Sequence, residues 1–195
     1  RYVGYIVSAG LVFASAFVYI ASAPFVLKDL YGLTSLKFSI VFGLNSMSLV
    51  GFGQISRLLV RRVGSRRLFQ AGLAFSAVGG VIVMTAVALD LGLGVLLAGF
   101  FCVVGAIGLV GPNATALAMA DHGDNAGSAA ALQGVAQFVL GATVAPLAGI
   151  AGRNTAMPMA VLMVSIPLVA AAVARLMTHH SGDQAVRTIS TEHGA

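Results

Sequence analysis

Four of the side-chain amides in the long apolar stretches of this sequence lie where a polar group is energetically costly. They belong to Asn45, Asn113, Gln133 and Gln137. An amide both donates and accepts hydrogen bonds, so at membrane depth it requires either a partner on a neighbouring helix or a water-filled cavity. The first arrangement would hold helices together, and the second would offer hydrogen bonds to a solute. Taken as a set, the amides favour the cavity, because the stretches that carry them are also interrupted, and binding sites near the bilayer midplane are commonly built from interrupted helices.

The segment Gly105–Leu117 combines a glycine-rich surface with a proline and an amide. Pro112 has no N–H, so the carbonyl of Gly108 loses its usual partner, and we expect the helix to kink at this point. Asn113 follows directly. The glycines predict a close approach by a neighbouring helix. A bend, a glycine-rich face without side chains and a polar group near the middle of the membrane together predict a functional helix of a multi-span membrane protein.

The overall composition is that of an integral membrane protein. The chain has 195 residues, of which 58% are hydrophobic and 9% charged, whereas a soluble domain carries roughly a quarter charged residues. Its net charge is +5, but the cations concentrate in one short segment, which indicates a membrane-orientation signal and not a nucleic-acid-binding face. Because the sequence starts at Arg1 without a methionine, we expect it to be part of a longer chain.

Six stretches are long and apolar enough to cross a bilayer, which takes about 20 residues. Their approximate limits are Tyr2–Leu27, Phe38–Leu59, Leu68–Leu89, Gly94–Ala118, Gly127–Ile150 and Met157–Met177. The predicted fold class is therefore all-α, a bundle of six transmembrane helices that occupies residues 1–177. The polar remainder, residues 178–195, is predicted to be a disordered cytoplasmic tail.

The positions of the basic residues predict the orientation of the bundle. Five arginines lie between Arg57 and Arg67, in the predicted loop after the second span. The positive-inside rule places this loop in the cytoplasm. Since the number of spans is even, both ends of the segment are then cytoplasmic too.

Reactive side chains outside the apolar stretches are better explained by structure than by catalysis. The polar residues from Asp121 to Ser128 lie at a predicted helix cap, and no nucleophile motif accompanies them. His179 and His180 have no further metal-ligating residue at a suitable spacing. No phosphate-binding loop is present. We therefore predict that the protein is not an enzyme and that it holds neither a metal nor a cofactor.

Three segments carry a resemblance to a known family. They are Tyr19–Val26, Phe38–Asn45 and Gly108–Ala120, the last reading Gly-Leu-Val-Gly-Pro-Asn-Ala-Thr-Ala-Leu-Ala-Met-Ala. The sequence resembles the carboxy-terminal half of a major facilitator superfamily transporter, and more narrowly the Bcr/CflA family of bacterial drug-resistance exporters. The resemblance implies that the six helices are the seventh to twelfth of a twelve-helix carrier in the bacterial inner membrane. The amino-terminal six-helix half would then be their partner.

The segment after the second span resembles, in altered form, the cytoplasmic gating motif of the superfamily. Gly64, Arg66 and Arg67 match the motif, but Arg61 occupies a position where an acidic residue is expected. The resemblance implies a gating or anchoring role for Gly64, Arg66 and Arg67, which we extend to the neighbouring Arg62. The charge relay usually inferred from the motif is therefore altered here.

The function implied by the resemblance is export of small organic compounds or drugs by alternating access, with proton antiport if the other half supplies a carboxylate. The residues that we then predict to face the substrate cavity are Tyr19, Ser22, Asn45, Asn113 and Gln137. Pro112 would supply the bend needed for conformational change. Two alternatives stay open, an importer on the same fold and a membrane scaffold or sensor that transports nothing and uses the amides only to join helices.

Overall fold

In the computed structural model, which describes residues 2–120, 126–149 and 155–192, the chain forms a bundle of six long helices without a strand in those ranges. The helices are α1 (Tyr2–Pro24), α2 (Ser35–Val63), α3 (Ser65–Ala88), α4 (Leu93–Met119), α5 (Ala126–Val144) and α6 (Met157–Glu192). Each contains a segment long and apolar enough to cross a membrane. This confirms the all-α fold class and the six predicted spans. The connection at 121–125, predicted to cap α5, lies outside the described residues.

Two of the helices end in a change of helical pitch next to a proline. A π-helical turn, Phe25–Leu30, follows Pro24 at the end of α1, and a 3-10 turn, Ala145–Gly149, contains Pro146 at the end of α5. Proline cannot donate the backbone hydrogen bond of a regular helix, so the chain changes its bonding pattern there. By contrast, α4 continues as an α-helix through Pro112.

Helix α6 continues to Glu192, beyond the predicted limit of its membrane span at Met177. Most of the segment that we predicted to be a disordered tail, residues 178–195, is therefore helical in the structure, and 193–195 lie outside the described residues. The physical reason is that extending an existing helix adds one hydrogen bond for each residue fixed, whereas starting a new one is costly.

The basic residues predicted to form a loop after the second span lie on helices. Helix α2 extends to Val63 and α3 begins at Ser65, so Gly64 alone connects them, with a φ of 84°. Glycine adopts such a backbone conformation without the steric cost that other residues have. We call this the arginine-rich end of the bundle. Both helices exceed the roughly 20 residues that a bilayer requires, so their ends can carry charge outside the hydrocarbon region.

The six helices divide into two three-helix units, and each unit packs its second and third helices on the first helix of the other unit. Helix α2 packs mainly against α4, with few contacts to α3, and α5 packs mainly against α1. The first helices of the two units, α1 and α4, also contact each other, as do the third helices, α3 and α6. Successive spans alternate in direction, so the two units run in opposite directions across the membrane. This is the inverted-repeat arrangement found in many transporter folds.

The exposure of each span distinguishes central from peripheral helices. In α1 and α4, 67% and 61% of the membrane-span residues are buried, compared with 11% in both α2 and α5. Large apolar side chains remain exposed on the two peripheral helices, among them Met47, Leu58, Leu132 and Phe138. The six-helix bundle therefore has its core between α1, α4 and the third helices, and it leaves α2 and α5 uncovered along most of their length.

Close backbone contact joins α2 to α4 at Gly108. A Cβ atom at this position would collide with the Leu49 carbonyl oxygen, and it would lie 2.6 Å from the Gly53 nitrogen. The prediction of close helix approach is confirmed for Gly108, and also for Gly105, which lies against the Phe52 ring. It is not met at Gly111, where a Cβ would contact nothing within 4 Å.

Candidate functional site

A hydrogen bond between two predicted site residues joins α1 to α2. The Asn45 amide nitrogen donates to the Tyr19 hydroxyl at 3.0 Å, and both side chains are buried. The Tyr19 ring stacks on Phe42 with ring centroids 5.6 Å apart and also contacts Phe100 at 4.9 Å. The aromatic contacts fix the phenol ring, so its hydroxyl is held in place for the amide.

A second polar contact joins α2 to α4 close to Pro112. The Asn113 amide nitrogen donates to the Ser56 hydroxyl oxygen and to the Leu109 carbonyl, each at 2.7 Å. Asn113 is 2% exposed and Ser56 is 3% exposed. Because both amide hydrogens have acceptors inside the protein, the donor capacity of this side chain is fully used within the bundle.

A third polar contact joins α4 to α5. The Thr115 hydroxyl lies 3.0 Å from the Gln133 amide oxygen and 3.0 Å from the Gly111 carbonyl, and it can donate its hydrogen to either. The three contacts therefore connect α1 to α2, α2 to α4 and α4 to α5. The contact between α2 and α4 joins the two units, whereas the other two each join the first and second helices of one unit.

The structure brings some of the predicted substrate-binding residues together and leaves others apart. Tyr19 and Asn45 are in contact, whereas Asn113 pairs with Ser56, which the sequence analysis did not select. Gln137 is half-buried on α5 and forms no hydrogen bond with any described residue. It is the predicted site residue with the most unused hydrogen-bonding capacity.

Ser22 belongs to a column of buried hydroxyls on α1. Ser8, Ser15 and Ser22 lie seven residues apart, on one face of the helix, and are almost completely buried. Their hydroxyl oxygens have no hydrogen-bond partner among the described residues. Of these three serines, only Ser22 was predicted to be a site residue. The seven-residue spacing was the signal that would have identified the other two.

The predicted gating residues lie at the arginine-rich end. Arg62 is in the last turn of α2, Arg66 and Arg67 are in the first turn of α3, and all three are exposed. No ion pair joins them to an acidic side chain within the described ranges. Pro112 is exposed on α4, one residue before the buried Asn113.

Four of the polar residues form separate, internally satisfied helix contacts. Tyr19, Asn45, Ser56 and Asn113 are buried by other helices of the same six-helix bundle. An open cavity of about 670 Å³ lies elsewhere, between α3 and α6. Within the described residues, no group of three or more His, Cys, Asp or Glu side chains is placed to hold a metal ion.

Two known proteins are similar to the chain over most of its length. The chain is 30% identical, over 83% of its length, to the uncharacterized MFS-type transporter YdgK of Bacillus subtilis. It is 26% identical, over 80% of its length, to a bicyclomycin resistance protein homolog of Haemophilus influenzae. The matched regions cover 40% and 39% of these relatives, so the chain spans about two fifths of the length of the curated relatives that it matches.

No protein-family model matches the sequence, and no solved structure matches the chain. Nevertheless, two relatives match about four fifths of the chain, and the structure has six helices that could span a membrane. Both findings agree with the resemblance carried by Gly108–Ala120. These relatives support the resemblance of the chain to a Bcr/CflA-type segment of the major facilitator superfamily.

Proposed function

We propose that the chain forms the carboxy-terminal half of a twelve-helix carrier that exports small, partly apolar organic compounds by alternating access. The main support is the similarity, over four fifths of the chain, to a transporter and to a bicyclomycin resistance protein homolog. Both relatives are long enough to contain a second half. The exposed apolar faces of α2 and α5 provide a surface that such a half would cover.

We also propose that the transport is coupled to proton antiport, with the coupling carboxylate in the other half. Coupling requires an ionisable group that can change its charge within the membrane. The central parts of the six spans contain no Asp, Glu, Lys or Arg. The carboxylate is therefore expected in the amino-terminal half.

The full-length protein that contains this segment provides the functional test. Its expression is expected to lower cellular accumulation of bicyclomycin, used here as the first probe, and to raise tolerance to it. In everted membrane vesicles, uptake of the probe should require an imposed pH gradient. Transport that is independent of the gradient would contradict the coupling. No transport of bicyclomycin or of a panel of apolar drugs, at normal membrane abundance, would contradict export and favour the scaffold alternative.

Amides that hydrogen-bond to each other's helices are also what a membrane scaffold would need. A substitution of Gln137, which has no such bond to a described residue, distinguishes the scaffold from the transporter. Gln137→Leu is expected to weaken transport about fivefold, the effect of roughly 1 kcal/mol from one lost hydrogen bond. Membrane abundance should not change, because this side chain forms no hydrogen bond with a described residue. Transport per molecule and abundance are measured in the same cells.

Gln133→Leu is the matched control, since it makes the same substitution one turn earlier on α5. It removes the hydrogen bond between α4 and α5, although Thr115 keeps the Gly111 carbonyl as an acceptor, so it is expected to lower abundance slightly and to leave transport per molecule unchanged. If Gln137→Leu behaves in the same way as this control, Gln137 has a structural role and does not contact the substrate.

The proposed orientation places the arginine-rich end in the cytoplasm of a bacterial inner membrane. It predicts that a cysteine at Ser35 reacts with a membrane-impermeant maleimide added outside the cell and that a cysteine at Ser65 does not. Cys102 is first replaced by alanine so that the introduced thiol is the reacting group. Faster labelling at Ser65 than at Ser35 would reverse the orientation.

A further inference from the structure

A groove between α3 and α6 opens at the arginine-rich end of the bundle. It has a volume of about 670 Å³ and is lined by Arg66 and Gln70 on α3 and by Arg175 on α6. Two cationic side chains on different helices thus reach the same groove. Arg66 and Arg175 are both exposed, and neither forms an ion pair with an acidic side chain in the described part of the chain. The mouth of the groove is therefore positively charged.

Below this mouth the groove is apolar and is lined mainly by small alanine side chains. On α3 it continues along Ala74, Ala77 and Val78, and on α6 along Leu168 and Ala172. Residues 66, 70, 74 and 78 are four apart, so they form one continuous face of α3. At 1.5 Å per residue this face is about 18 Å long. That length is close to one leaflet of a hydrocarbon core roughly 30 Å thick.

A buried aromatic pair forms the floor of the groove near its mouth. Phe69 is almost completely buried, and Tyr5 of α1 meets it edge-on, with ring centroids 5.3 Å apart. Both residues line the groove. The floor of the groove near its mouth therefore consists mainly of aromatic rings.

We propose that this groove binds an anionic phospholipid of the surrounding membrane. The phosphodiester headgroup would lie between Arg66 and Arg175, whose guanidinium groups can each donate two hydrogen bonds to a phosphate. One acyl chain would follow the alanine-lined walls toward the bilayer centre. The combination of two cations at the interface with an apolar channel one leaflet long fits a charged lipid better than a soluble anion. The proposal depends on membrane embedding and not on the transported compound.

The test compares lipid binding to purified full-length protein by native mass spectrometry with dioleoyl phosphatidylglycerol. Replacing both groove arginines, Arg66→Gln with Arg175→Gln, is expected to weaken binding of this lipid roughly 20- to 30-fold, about fivefold for each cation. The matched control is Arg62→Gln with Arg67→Gln, which removes the same charge at the same end but outside the groove. The control is expected to bind the lipid as tightly as the unmodified protein.

A second variant tests the apolar part of the groove without changing any charge. Ala74 and Ala172 are exposed on the facing walls, so Ala74→Leu with Ala172→Leu should fill the groove and leave the helix packing intact. We expect a loss of phosphatidylglycerol binding of at least tenfold, as an acyl chain no longer fits. Unchanged binding would overturn the proposed position of the chain.

Two further ligands identify the source of the phosphate. Dioleoyl phosphatidylcholine, which carries no net charge, is expected to bind at least tenfold more weakly than phosphatidylglycerol. Inorganic phosphate is expected not to displace the lipid. Equal binding of the two lipids, or an equal loss in the control variant, would contradict recognition of the anionic headgroup. Displacement by inorganic phosphate would show a soluble-anion site in place of a lipid site.

Discussion

Substitution of Gly108 by alanine is expected to destabilise the bundle more than any other single methyl group added to α4. The new Cβ would collide with the Leu49 carbonyl oxygen and would lie 3.1 Å from the Phe52 carbonyl carbon. These are backbone atoms, which cannot rotate away, so α2 and α4 must separate. Overpacking costs up to about 3 kcal/mol and the gain in helix propensity recovers about 1 kcal/mol, which leaves a net loss of about 2 kcal/mol in the free energy of unfolding.

Gly111→Ala is the matched control, because it makes the same change three residues further along α4, where a Cβ meets nothing within 4 Å. It should keep or slightly raise the thermal unfolding midpoint of the purified full-length protein, whereas Gly108→Ala lowers it by several degrees. If the two variants have the same thermal unfolding midpoint, α2 and α4 are not in backbone contact at Gly108.

Asn113→Leu is expected to lower the amount of folded protein in the membrane by removing two buried hydrogen bonds. The loss should be about 1–2 kcal/mol, since hydrogen bonds between membrane helices contribute modestly. Transport per folded molecule should stay the same, because the amide is already occupied by Ser56 and Leu109. Membrane abundance and transport are measured in the same cells.

A double-mutant cycle with Ser56→Ala separates this contact from a contact with substrate. If Asn113 acts through Ser56, the double variant is less destabilised than the sum of the single variants, by about 1 kcal/mol. If instead Asn113→Leu reduces transport at normal abundance, and its effect adds to that of Ser56→Ala, then the amide binds the transported compound as the sequence analysis predicts.

The fold could be predicted from the sequence because its main signal is local. Twenty apolar residues in a row indicate a membrane helix wherever they occur, so all six spans were identified. Helix ends were less accurate. The arginines at 61, 62, 66 and 67 were assigned to a loop, because charge usually marks the boundary of a span. Arginine is a good helix former, and the helices continue past the apolar segments that carry the signal.

The partners of the polar residues could not be predicted, since they depend on which helices are neighbours. The sequence shows that Asn45 and Asn113 need partners, but it does not show that α2 packs against α4. Only this packing brings Ser56 to Asn113, 57 positions away. Tyr19 and Asn45 were both selected, yet their contact follows from the fold and not from either residue type. The choice between a helix contact and a solute contact therefore depends on the three-dimensional arrangement.

The packing of α2 and α5 on helices distant in the sequence also constrains the order in which the bundle can fold. Helix α2 enters the membrane before α3, but its main neighbour, α4, is synthesised later. Helix α5 packs back on α1, where Gly10 faces Leu140 across 130 positions of sequence. Such non-local contacts carry a large loop-closure entropy and slow folding relative to contacts between successive helices. The bundle therefore cannot be completed one helical hairpin at a time during synthesis, because α2 must await α4 and α5 must return to α1.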